Sequence, residues 1–100
     1  MPRVFQIFDY EINPASEQAF LNAISKLKKS YEKIKGLELF SITKSKTNKN
    51  QYQEIYIFAD VDAYENYEEY LDDNDNDIIS EIQEYIVENS TRYYTYFEVK

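Results

Sequence analysis

From Arg3 to Ile12 apolar residues occupy both faces of a period of two, as in a central strand covered on two sides, and from Phe20 to Ile34 they recur at spacings of three and four. The first period is that of a strand and the second that of a helix. In the strand, Val4, Phe8, Tyr10 and Ile12 share one face, and Phe5 and Ile7 share the other. Asn13-Pro14 supplies a helix start, with Asn as N-cap and Pro at the first helical position. Phe20, Ala23, Ile24, Leu27, Tyr31 and Ile34 form the stripe of that helix. Gly36 follows, where a left-handed C-terminal cap belongs.

Leu37 to Lys44 and Tyr52 to Val61 read as a second and third strand around a polar loop at 45–51. In the third strand Ile55, Ile57, Ala59 and Val61 alternate with Tyr52, Tyr56 and Phe58. The aliphatic set is expected under the helices and the aromatic set on the opposite face. Asp62 and Glu65 have capping-box spacing and open a short helix with Tyr64, Tyr67, Tyr70 and Leu71 on its apolar side. An acidic run at 72–77 breaks it. A further helix is expected from about Ile78 to Asn89, with Ile78, Ile82, Tyr85 and Ile86 inward. Ser90 to Lys100 is the last strand, with Tyr93, Phe97 and Val99 on one face and Tyr94 and Tyr96 on the other.

The order β-α-β-β-α-β predicts a ferredoxin-like α+β sandwich, a four-stranded antiparallel sheet with helices on one face. One hundred residues suit one domain spanning 1–100. On this reading Phe8, Tyr10, Tyr56, Phe58, Tyr94 and Tyr96 lie on the uncovered face. Water rarely meets such a patch in a monomer, so the expected cover is a second copy, and these six form the predicted homodimer interface.

Composition narrows the chemistry. The chain has no Cys, His or Trp and one Gly. That excludes disulfides, thiolate or imidazole metal ligands, a cysteine nucleophile and a glycine-rich phosphate loop. No cofactor and no metal is therefore expected. No apolar run nears the roughly 20 residues of a membrane span, and the start reads as a strand rather than a leader. A cytoplasmic location fits a chain without Cys.

Charge is divided along the chain. Residues 60–88 carry twelve acids and no Lys or Arg, whereas residues 26–49 carry eight of the eleven basic residues. Solvated helix faces account for this; the alternatives are that the asymmetry steers a partner's orientation or that the net charge of −8 favours solubility.

Several features together resemble the dimeric α+β barrel superfamily, most closely its antibiotic-biosynthesis-monooxygenase-like branch. They are Tyr10-Glu11-Ile12-Asn13-Pro14 followed by a helix with Glu17, Phe20 and Leu21, then Ile55-Tyr56-Ile57-Phe58. The helix opening Asp62-Ala63-Tyr64-Glu65 and the Tyr-rich final strand complete the likeness. The resemblance implies two sheets packed face to face in a homodimer and a pocket between sheet and helices in each subunit. It also implies cofactor-independent oxygenase chemistry on a small aromatic or apolar molecule, or a non-catalytic ligand-binding or scaffold protein. Haem-degrading members use an Asn, a Trp and a His where this chain has Ile7, Tyr70 and Ser80, so haem is not implied.

The candidate pocket residues are Phe5, Ile7, Tyr67, Tyr70 and Tyr93, with Asp9 and Tyr70 as candidate catalytic groups. Tyr67 and Tyr70 offer hydroxyl donors to a phenolic ligand, and Asp9 is a base if burial raises its pKa. The plainer reading makes both tyrosines amphipathic core residues. Asp73, Asp75, Asp77 and Glu84 match four ligand places of a calcium loop, but Ile78 stands where that loop needs Gly. Asn76 or Asp77 as a helix cap explains the run more simply. An RNA-recognition module would use Tyr10, Tyr56 and Phe58 as stacking platforms. Strand three lacks that motif's basic-Gly-aromatic start, and the net negative charge opposes phosphate binding.

Overall fold

The computed structural model describes residues 2–73 and 76–99, with the side chains of 72, 73 and 76 left out. Strand β1 (Val4–Glu11) leads through a 3-10 turn at Pro14–Ser16 into helix α1 (Glu17–Tyr31). The Asn13 side chain accepts from the Ala15 amide at 3.1 Å, and Pro14 starts the turn. Strands β2 (Leu37–Lys44) and β3 (Gln51–Phe58) form a hairpin. Helices α2 (Val61–Asp73) and α3 (Asn76–Tyr85) follow, and β4 (Arg92–Phe97) closes the chain. The sheet order is β2-β3-β1-β4 with every pair antiparallel. This is the ferredoxin-like arrangement. Among the described residues, no helix is long and apolar enough to cross a membrane.

The register decides which face the helices cover, and it reverses the assignment made for β3. Val4 lies opposite Phe58, Gln6 opposite Tyr56, Phe8 opposite Glu54 and Tyr10 opposite Tyr52. Residues directly opposite share a face. Val4, Tyr10, Tyr52, Tyr56 and Phe58 are all buried with Phe20, Ala23, Ile24, Leu27 and Tyr31 of α1. The rings therefore belong to the core. Rings from the sheet and from α1 interlock in this core. Phe20 packs on Tyr52 at 5.0 Å and edge-on to Tyr10 at 5.9 Å between centroids. Burying a ring such as Phe20 or Phe58 contributes about 1.5–3 kcal/mol.

Four of the six predicted interface residues are thus core or cavity residues: Phe8, Tyr10, Tyr56 and Phe58. Tyr94 and Tyr96 do lie on the open face, opposite Ile7 and Phe5, and are 40% and 56% exposed. The open face instead carries Phe5, Ile7, Ile55 and Ile57, all half-buried, beside exposed Leu39. Strand β4 is exposed along its whole length.

Local starts and stops also differ from the sequence pattern. Asp60, not Asp62, caps α2, its carboxylate accepting from the Ala63 amide at 2.8 Å. Helix α3 begins at Asn76, which puts Asp77 in its first turn. It stops at Tyr85 because Ile86 pairs with Ile12 in an antiparallel bridge and Val87 donates its amide to the Glu11 carbonyl at 2.8 Å. Gly36 has φ +87°, but in a turn beyond the end of α1 rather than at its cap. A Cβ there would stand 2.5 Å from the Cβ of Ala63.

Candidate functional site

Between the sheet and the helices lies a cavity of about 220 Å³. Its floor is Phe8, Tyr10, Glu54 and Tyr56 from β1 and β3. Leu27 and Tyr31 of α1 and Tyr67 and Leu71 of α2 form two walls, and Ile79, Ile82 and Ile86 form a third. Gln83 and Thr91 also line it and are exposed, which marks the mouth.

Glu54 is the unusual residue. Strand alternation puts it on the same face as Tyr52, Tyr56 and Phe58, so the fold carries a carboxyl into the aromatic core. It is 8% exposed. Tyr10 donates its hydroxyl to Oε2, and Tyr56 donates to Oε1 at 2.7 Å. Burial pushes the Glu54 pKa up, and the two tyrosine hydroxyls only partly oppose this. The carboxylate is thereby a stronger base than a solvent-exposed glutamate. Burial and the neighbouring Glu54 also raise the pKa of Tyr10 and Tyr56 above that of an ordinary phenol, so both remain hydroxyl donors. The Tyr31 and Tyr67 hydroxyls lie 3.3 Å apart, and burial raises both of their pKa values too. The site is a single acid–base group in a pocket of rings, the setting in which a carboxyl can serve as general acid or base.

The residues singled out from the sequence are dispersed. Tyr67 lines the cavity. Tyr70 is directed at α1 instead, its hydroxyl 2.8 Å from that of Ser30. Tyr93 is 69% exposed and rests against Phe8, 6.1 Å between centroids, outside the cavity walls. Phe5, Ile7 and Asp9 are on the opposite face of the sheet, because they have the other parity in β1. Asp9 is held there by the Gln53 amide at 2.9 Å. Glu54 was overlooked because a lone carboxylate in an alternating strand reads as a solvent-facing residue. Its shared parity with Phe58 was the available signal. Of the calcium-loop residues, Asp75 lies outside the described residues, as does the side chain of Asp73. Among the described residues no group of three or more acids could hold a metal ion.

Comparison with known structures settles the fold. A conserved protein from Methanosarcina mazei Go1 superposes with a TM-score of 0.82 at 15% identity, covering 96% of this chain and 92% of that one. SnoaB, a cofactor-independent oxygenase from Streptomyces nogalater, gives 0.77 at 11% identity, covering 98% and 94%. A proposed antibiotic biosynthesis monooxygenase from Caulobacter crescentus gives 0.83 at 15%, covering 99% and 92%. The fold is the one these antibiotic-biosynthesis-monooxygenase-like proteins share, a ferredoxin-like α+β sandwich. No protein-family model and no curated protein matches the sequence.

Proposed function

We propose that the protein is a cofactor-independent oxygenase acting on a single-ring phenol, with Glu54 as the proton acceptor. The observation that carries this reading is the buried Glu54 carboxyl on the floor of an apolar cavity. A cavity of about 150 Å³ holds benzene, so 220 Å³ suits one substituted ring. In the proposed step Glu54 takes a proton from the ring's keto tautomer. The resulting carbanion reduces dioxygen and forms a carbon–oxygen bond. Glu54 returns the proton to the peroxide, which loses water to leave a new carbonyl. The substrate supplies all four electrons: phenol and dioxygen give quinone and water. The likeness to SnoaB, described as a cofactor-independent oxygenase, supports the reaction class.

The test is oxygen uptake with a panel of mono- and dihydroxybenzenes, with quinone followed by absorbance and isotopic oxygen by mass spectrometry. Turnover by the wild type and its loss in Glu54→Gln are expected. Turnover that survives Glu54→Gln refutes the assignment. A non-catalytic ligand-binding protein is the second reading. It is favoured by the tyrosine hydroxyls that already occupy both oxygens of Glu54. Ring binding without oxygen uptake selects it.

The working unit in this proposal is a homodimer, closed over the open face at Phe5, Ile7, Ile55, Ile57, Tyr94 and Tyr96. Its apolar residues are the support for this. Ile57→Lys should yield monomers in native mass spectrometry. A wild type that is monomeric at high micromolar concentration removes this part of the proposal. A chain without Cys fits a cytoplasmic site of action.

A further inference from the structure

We infer that the cavity also takes a small organic ammonium ion, held at the Glu54 carboxylate among the rings of Phe8, Tyr10, Tyr31, Tyr56 and Tyr67. The inference concerns the same cavity as the oxygenase reading and rests on that reading only for its location. It needs no turnover.

Hydrogen-bond capacity is the first argument. An ionised carboxylate offers about four lone-pair sites, and the two tyrosine hydroxyls take one on each oxygen. Those hydroxyl protons are spent, whereas the phenolic oxygens keep acceptor capacity. The floor is therefore rich in acceptors and poor in donors. A ligand that brings N–H donors complements it.

Charge is the second argument. No Lys or Arg is among the described residues lining the cavity, and Glu54 is the one carboxyl there. Ionised Glu54 thus has no counter-charge within these walls. An unpaired buried charge is costly, and a cationic guest removes that cost. The net charge of −8 favours entry of a cation over an anion.

The third argument is the enclosure. Tyr56 stands at 58° to Tyr31 and 50° to Tyr67, Tyr31 at 77° to Tyr67, and Phe8 at 76° to Tyr56, all with centroids within 6 Å. Phe8, Tyr31, Tyr56 and Tyr67 all line the cavity, and an aromatic face within about 6 Å of a cation attracts it. The volume suits an ammonium carried on one ring or a short alkyl body.

The test is calorimetric titration with three probes of one shape and different charge: benzylammonium, benzyl alcohol and benzoate. Benzylammonium is expected to bind about tenfold or more tighter than benzyl alcohol, with benzoate weakest. Glu54→Gln should erase the preference for ammonium over alcohol. Tyr67→Leu, which leaves the carboxyl in place, should weaken the ammonium more than the alcohol. The charge series in the wild type needs no variant, so a misfolded substitution does not decide the outcome. Equal binding of ammonium and alcohol, or an ammonium preference that survives Glu54→Gln, overturns the inference and leaves phenol oxidation standing. Binding of none of the three overturns it together with the cavity's role in ring binding. Tight ammonium binding without phenol-dependent oxygen uptake refutes the oxygenase reading alone.

Discussion

Replacing Glu54 with Gln should change how stability depends on pH, and the direction follows from burial. The folded carboxyl has a raised pKa because it is desolvated, and in the unfolded chain it titrates near the ordinary glutamate value of about 4.3. Between those two values the native state holds one proton more than the unfolded state. Stability therefore falls as pH rises through that window, by at most about 1.4 kcal/mol per pH unit. It is fully retained below the window and flat above it. Gln mimics the neutral carboxyl and removes this slope. It also obliges one of Tyr10 and Tyr56 to face an amide N–H2, a pH-independent offset of about 0.5–1.5 kcal/mol.

The surface carboxylates Glu17 and Glu98 run the other way. Their pKa values are lowered by hydrogen bonds from Lys44 and Tyr52 and from Arg3, so their contribution is lost as pH falls below the ordinary range. Both groups are unchanged in Glu54→Gln and cancel in the difference between the two proteins. The assay is urea unfolding by far-ultraviolet circular dichroism at half-unit steps from pH 4 to 8. The wild type minus the variant should decline with rising pH above about 4.3. A difference that is flat, or that grows with pH, refutes the claim that Glu54 is buried at an energetic cost when ionised.

Three further outcomes are expected. Gly36→Ala must place a Cβ 2.5 Å from that of Ala63 and hold a non-glycine residue at positive φ, costing at least about 2 kcal/mol in chemical denaturation. Asp60→Ala should cost about 1 kcal/mol and Asp62→Ala much less, because among the described residues it is Asp60 that accepts from the first turn of α2; equal losses would return the cap to Asp62. Tyr70→Phe should leave cavity binding of benzyl alcohol unchanged and lower the melting temperature by an amount equivalent to about 0.5–1.5 kcal/mol, since its hydroxyl meets Ser30.

Periodicity showed the elements and their order, and with them the topology. Helix α1 and strands β1 to β3 lie close to where the spacing put them. Period two tells which residues share a face, but not which face is covered, so the whole of β3 could be turned over without violating the pattern. Ile55 and Ile57 looked like the core set because isoleucine is the more apolar residue. Tyr52, Tyr56 and Phe58 won the interior because Tyr52 packs on Phe20 and Tyr56 on Tyr31 of α1 and because Glu54 accepts from the hydroxyls of Tyr10 and Tyr56. That error carried the candidate site with it: Phe5, Ile7 and Asp9 followed the wrong face, while Tyr67 was placed by helical spacing, which does not depend on which sheet face is covered. The bridge between Ile12 and Ile86, which ends α3 early, depends on a partner 74 positions away and leaves no local trace.

The chain's one glycine touches the beginning of α2 at Ala63, and Tyr67 follows one helical turn later on the same side. Bare backbone at Gly36 thus lets α2 nestle against the turn that precedes β2, and the calibre of the chamber beside Tyr67 is governed from outside its own walls. A single missing methyl works as a spacer of zero thickness. Bulk added at either member of that pair would lift the helix like a shim and retune which guests fit, with every lining residue left as it is.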